Sequence, residues 1–288
     1  MGHSFTGTGP GSLGKSREVK RRVLVTGAGG RIGSYFAEHS FGKYDLRLMV
    51  QHADQAERVR QFGEVVKGDL GDLSAMKQFC AGIDTVVHMA GNPDASATWQ
   101  PLLETNIIGT YNAMVAAKSA GCRRLIFASS IHAVSGYPRE VQVKTSEPVN
   151  PGDLYGVTKA FGEALGRYMA EQEGLSVIAL RIGGFQTVEN AQRDGSIKMA
   201  DAWVTDRDLN QLIQKCVDDE SLKFAIFHGL SNNAFLRLDI SDARELVGYN
   251  PQDDCFALNP KTASMDLANS VISHRVDRPE RSGLRDDL

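Results

Sequence analysis

The sequence is short of several things that would assign it to a class at once. No apolar run approaches the ~20 residues that cross a bilayer, so no membrane partner is expected. No long run of one charge is present, and a formal charge of −3 with a pI near 6.2 gives no basic footprint for nucleic acid. The four cysteines, Cys80, Cys122, Cys216 and Cys255, stand far apart with no C-x-x-C pair. They read as reduced thiols of a cytoplasmic protein, with no metal site. Residues 1–20 are polar and glycine-rich and lack the apolar core of a secretory leader. That stretch, with Gly-Pro-Gly-Ser at 9–12, is set aside as a disordered extension or a tag remnant. What remains is enough for one large domain, because 288 residues at 42% hydrophobic can bury a sizeable core.

The chain is organised around Arg22-Val-Leu-Val-Thr26 running into Gly27-Ala-Gly-Gly30-Arg-Ile-Gly33, followed by a helical stretch over 34–41. A short apolar run, a glycine turn and a helix are what a strand delivering its carboxyl end to a phosphate looks like. Gly27 suits the tight turn, Gly30 removes a side chain that would hold the backbone off a pyrophosphate, and Gly33 permits close helix–strand packing. The phosphates would sit on the free N–H groups at the helix start.

Further strands follow at 45–50, 65–67, 84–88, 124–128, 177–181 and 224–228, with helical stretches between them, the longest over 99–120. Strands alternating with helices predict an α/β fold, a Rossmann-like doubly wound parallel sheet of about seven strands. The body is expected at 21–260, with substrate-binding elements at about 183–205 and 229–260 forming a small C-terminal region. The segment 187–202 has no strong period and suits a lid. Residues 261–288 read as a loosely packed tail. At the end of the second strand stand Gln51 and His52, neither acidic nor basic. Gln51 can bond ribose hydroxyls as a neutral group, which favours NAD without excluding NADP.

Asp153 caps a helix carrying Tyr155-Gly-Val-Thr-Lys159, and four residues apart Tyr155 and Lys159 share one face. A phenol of pKa ~10 is a poor base at neutral pH, and a neighbouring ammonium favours the phenolate.

The glycine turn, Ser130, Tyr155 and Lys159, in this order and spacing, resemble an extended short-chain dehydrogenase/reductase of the NAD-dependent epimerase/dehydratase family. Supporting matches are His88-Met-Ala-Gly91, Asn106-Ile-Ile-Gly-Thr110 and Leu246-Val-Gly-Tyr-Asn-Pro251. Within that family the sequence looks like a uronate dehydrogenase over Phe127-Ala-Ser-Ser-Ile-His132, Leu154 to Lys159, Arg181-Ile-Gly183 and the stretch around Trp203. The resemblance implies Tyr155 as the proton acceptor, Lys159 as its modulator and ribose anchor, and Ser130 as the partner of the reacting oxygen. For the cofactor it implies Gly27, Gly30, Arg31, Ile32 and Gly33 at the turn and Gln51, Asp69 and Leu70 near the adenosine. Met89, Ala90, Gly91, Asn106 and Ile182 complete that set, with Tyr155 and Lys159.

Substrate positions implied by the resemblance are Ser130, Ile131, His132, Tyr155, Gly184 and Lys198. Three of them depart from it. Uronate dehydrogenases carry asparagine where Ile131 stands, serine where Gly184 stands and a carboxylate-binding arginine at the place of Lys198. The implied activity is oxidation of a sugar or sugar acid with NAD(P), a hexuronate at C1 giving its lactone, by a homodimer. An epimerase using the same three residues, and a silent nucleotide-binding regulator, stay open as alternatives.

Overall fold

A computed structural model describes residues 20–138 and 140–273. The expected extension lies outside them except for Lys20, as does the tail beyond 273. β1 (Arg22–Thr26) leads through the glycine turn into α1 (Arg31–Ser40), and β2 (Asp45–Val50), α2 (Ala53–Val59) and β3 (Glu64–Lys67) follow. The chain then crosses back through α3 (Leu73–Phe79) to β4 (Thr85–His88). The stretch read as one helix over 99–120 is continuous but not uniform. It comprises α4 (Trp99–Leu102), a π-helical turn (Leu103–Ile108) and α5 (Gly109–Ser119). β5 (Arg124–Ser130), α6 (Leu154–Glu171) and β6 (Ser176–Ile182) complete the centre of the sheet.

After β6 come β7 (Gly184–Gln186), α7 (Asp194–Ile197), β8 (Trp203–Thr205), α8 (Asp206–Asp218), β9 (Phe224–Gly229) and α9 (Ser241–Val247). Seven strands form one parallel sheet in the order β3-β2-β1-β4-β5-β6-β9, as the alternation predicts. β7 and β8 pair as a separate two-stranded sheet, which their three-residue length hid from the sequence pattern. The strand order reverses between β1 and β4, and the carboxyl ends of those strands open the crevice where doubly wound sheets bind ligands. Apolar clusters lie on both faces of the sheet, one including Val23, Val25 and Leu180 and the other Leu24, Val86 and Leu125.

The segment 187–202 is held by the chain that follows β9. Ala191, Ala200 and Trp203 are fully buried together with Cys255. Asn259 Nδ2 donates to Ala191 O at 2.9 Å, Ile272 N to Lys198 O at 2.9 Å, and Ser273 Oγ to Asp201 Oδ2 at 2.7 Å. The expectation of a loose tail therefore needs correction for 261–273. Two short helices, Pro260–Ser264 and Leu267–Ser270, lie in this stretch, and Val271 and Ser273 are buried.

His88 and His228 sit in the core with Nδ1 engaged, on Thr26 Oγ1 at 2.8 Å and on Asp239 O at 2.7 Å. Burial, then a nearby cation, Lys159 for His88 and Arg181 for His228, pushes each imidazole from 6.5 down to about 3. Between those values the unfolded chain binds protons that the folded chain refuses, so stability is full above pH 6.5 and lost as pH falls. Each histidine contributes a slope of ~1.4 kcal/mol per pH unit once well below 6.5. Urea denaturation at pH 7.5, 6 and 5 should show that decline before carboxylates such as Asp84 begin to protonate. The burial of Asp84 is outweighed by the combined hydrogen bonds of Arg123, Thr85 and Arg21, so that its carboxyl is held below 3.8. A flat profile over that range would mean that neither imidazole is held neutral.

Candidate active site

Gly27 takes φ +67, and a Cβ there would come within 2.7 Å of Ala90 N. At Gly33 a Cβ would lie 2.4 Å from Gly27 O. Both glycines are thus required by the backbone itself. Gly30 differs, because its Cβ would meet only Gly27 O, at 3.2 Å. It is the N-cap of α1, no side chain caps that end, and no acid stands in the first turn. The free N–H groups and positive end of α1 are left for an anion.

Two adjoining cavities share this turn, both lined by Gly27, Gly30, Met89 and Gly91. One, about 680 Å³, runs over the ends of β2 and β3 and is lined also by Gln51, Asp69, Leu70 and Ala90. Gln55, which the sequence reading passed over, also lines it. Its Oε1 accepts from Gln51 N at 3.1 Å and His52 N at 3.3 Å, fixing the loop after β2. The second cavity, about 440 Å³, brings together Arg31, Ile32, Gly33, Ile182 and Gly184 with Ser130, Ile131, His132, Tyr155 and Lys159. Asn92, Pro93, Phe185 and Met199 line it too and were not foreseen. The pair of cavities fits an elongated dinucleotide, with its diphosphate at the uncapped start of α1. A Gly30→Val variant should fold, since its Cβ meets only Gly27 O. It should lose dinucleotide affinity by more than tenfold, or ~1.4 kcal/mol. Calorimetric titration of NAD would show it, and unchanged affinity would move the diphosphate elsewhere.

Two residues are not placed as the sequence implied. Asn106 is buried beside the crevice and lines neither cavity. Its Oδ1 accepts from Asn92 N at 2.7 Å, and its Nδ2 donates to Asn92 O at 3.0 Å and Thr158 Oγ1 at 3.2 Å. It clamps the loop after β4 to α6. Lys198 is exposed and absent from the cavity walls, whereas its neighbour Met199 lines the second cavity.

At the end of the second cavity α6 starts from Asp153, whose Oδ1 accepts from Gly156 N at 2.7 Å. Asp153 Oδ2 lies 2.6 Å from His132 Nδ1, and the His132 ring stands edge-on to Tyr155 at 5.3 Å. Ser130 Oγ accepts from His132 N at 3.2 Å, which fixes the hydroxyl at the carboxyl end of β5. Lys159 Nζ donates to Ala128 O at 2.8 Å and lies 5.4 Å from the Tyr155 ring.

The expected acidification of the phenol by Lys159 is not what governs this state. Burial pushes the Tyr155 phenol up to about 12, and a hydrogen bond with Ser130 only partly opposes it. Burial also brings the Lys159 ammonium down to about 8. Both charged forms are disfavoured by the same dry pocket.

These features meet a known pattern. Residues 23–207 match the model of the NAD dependent epimerase/dehydratase family. The chain belongs to this family. It is 34% identical to a NAD-dependent glucose-6-phosphate dehydrogenase of Haloferax volcanii, over 81% of this chain and 93% of that one. An L-arabinose 1-dehydrogenase (NAD(P)(+)) of the same organism is 32% identical, over 81% and 97%. Among solved structures, a mutant uronate dehydrogenase from Agrobacterium tumefaciens complexed with NAD superimposes with a TM-score of 0.74 at 29% identity, covering 84% of this chain and 89% of that one.

Proposed function

We propose that this protein is an NAD-dependent dehydrogenase that oxidises a free sugar or sugar acid at C1, which for a cyclic substrate gives the lactone. The observation that carries this reading is the convergence of Ser130, Tyr155 and Lys159 on a cavity that adjoins the glycine turn. Bound NAD would supply the hydride acceptor and the positive charge of its oxidised ring. The chain's own groups do the rest. Ser130 orients the reacting hydroxyl, Tyr155 takes its proton as hydride leaves the same carbon, and Lys159 holds positive charge against the phenolate. Incubation with excess NAD and a sugar panel tests the reading: net NADH supports it, whereas a changed sugar without net NADH points to an epimerase and binding alone to a regulator.

The working form we propose is a homodimer in the cytoplasm. Tyr111 on α5 and Val157 and Tyr168 on α6 are 45–50% exposed, an apolar display suited to a second copy of these helices. The four cysteines are buried free thiols, as in a reducing compartment. No helix among the described residues is long and apolar enough to cross a membrane.

A further inference from the structure

The substrate's reacting end is fixed by Tyr155 and Ser130, and the glycine side of the cavity belongs to the dinucleotide. The end of the sugar remote from C1 must then meet the remaining walls, which are Asn92, Pro93, Ile131, Phe185 and Met199 beside Gly184. Met199 fills the space a side chain at 184 would use, because a Cβ on Gly184 would lie 3.1–3.4 Å from Met199 carbons. Ile131 and Met199 also belong to one apolar cluster with Val134, Ala202 and Leu230, so the wall is apolar in depth.

Lys159 and Arg31 are the cations lining this cavity, and each already donates to a backbone carbonyl. Lys159 is on Ala128 O beneath the ribose side, and His132 Nδ1 is on Asp153. Arg31, the first residue of α1, donates to Phe185 O at 3.0 Å and lies over the Phe185 ring at 5.3 Å. Lys198, the candidate for gripping a carboxylate, is exposed off the wall with its carbonyl pinned by Ile272 N. A carboxylate or phosphate brought against Ile131 and Met199 would lose water to an apolar surface. We propose that the site selects sugars whose group remote from C1 is uncharged, a hydroxymethyl, a methyl or a bare ring carbon, and rejects sugar acids and sugar phosphates.

This rests on the dehydrogenase reading above and narrows its sugar or sugar-acid substrate to the neutral sugars, and the test separates the two. NADH formation would be followed with sugars of one ring configuration that differ only at C5: galactose, 6-deoxygalactose, arabinose of matching configuration, galacturonate and galactose 6-phosphate. The glucose series would be run in parallel. Within the active series an uncharged member should exceed both charged ones in kcat/KM by about a hundredfold, mainly through KM. A charged member winning, with NADH formed, overturns the selectivity and leaves the dehydrogenase standing. No NADH from any sugar overturns the dehydrogenase reading and the selectivity with it. Met199→Arg should move the acid-to-neutral ratio at least tenfold toward the uronate, and Lys198→Ala should leave it unchanged. Selective loss of uronate turnover in Lys198→Ala would overturn the proposal, as would an unchanged ratio in a folded, active Met199→Arg.

Discussion

Replacing Tyr155 with phenylalanine should lower turnover by about 10²–10⁴ while NAD binds as before, the loss typical of a removed general base. The side chain is 8% exposed, so the ring contributes packing that phenylalanine keeps, including the edge contact with His132. Only the phenol oxygen and its hydrogen bond with Ser130 go. Nothing at Gly27, Gly30 or the uncapped start of α1 changes, which is why cofactor affinity should survive. Initial rates at 340 nm with a good sugar, beside calorimetric titration of NAD, check both halves. Near-parental turnover would hand the proton transfer to another group.

In the proposed mechanism, the dry pocket keeps Tyr155 protonated unless positive charge is brought to it. A phenol pushed to about 12 is protonated throughout the useful pH range, and Lys159 at about 8 begins to lose its charge just where the phenolate needs it. Positive charge entering with a bound dinucleotide would favour the ionised phenol.

What the sequence disclosed follows from the range of the interactions involved. The glycine turn was legible because Gly27 and Gly33 answer to backbone contacts a few residues away or at an adjoining strand end. Tyr155 and Lys159 were legible because a spacing of four puts them on one helix face. The parallel sheet was legible from the alternation of elements. Asn106 lay inside a recognisable stretch, yet its task depends on Asn92 and Thr158, which only folding brings to it. Met199 and Lys198 are neighbours in a segment without periodicity, so no pattern told which of them faces the cavity. The hold of 261–273 on the segment 187–202 comes from residues whose polar composition suggested the opposite.

The largest omission is Glu163, which four residues beyond Lys159 reads as one more helix-face acid and instead lies in the core. Its side chain is 3% exposed and pairs with Arg181 at 1%. Arg181 donates in two places, Nε to Oε1 at 2.9 Å and Nη2 to Oε2 at 2.8 Å, and Ser129 Oγ adds a third bond to Oε1 at 2.6 Å. Ser129 and Arg181 are register partners on β5 and β6, one residue before Ser130 and Ile182 of the cavity wall. The carboxylate therefore ties α6, which carries Tyr155 and Lys159, to the two strand ends that carry the rest. Glu163→Ala should cost about 3–5 kcal/mol, because it strands a buried guanidinium whose Nη1 already lacks a partner. Glu163→Met with Arg181→Met should recover most of that loss, since removing both charges also removes their desolvation. Urea denaturation of the three proteins decides it. Should Glu163→Ala unfold at the parental midpoint, water reaches Arg181 and the pair is not sealed. If the double variant is no more stable than Glu163→Ala, packing and not the stranded charge sets the cost.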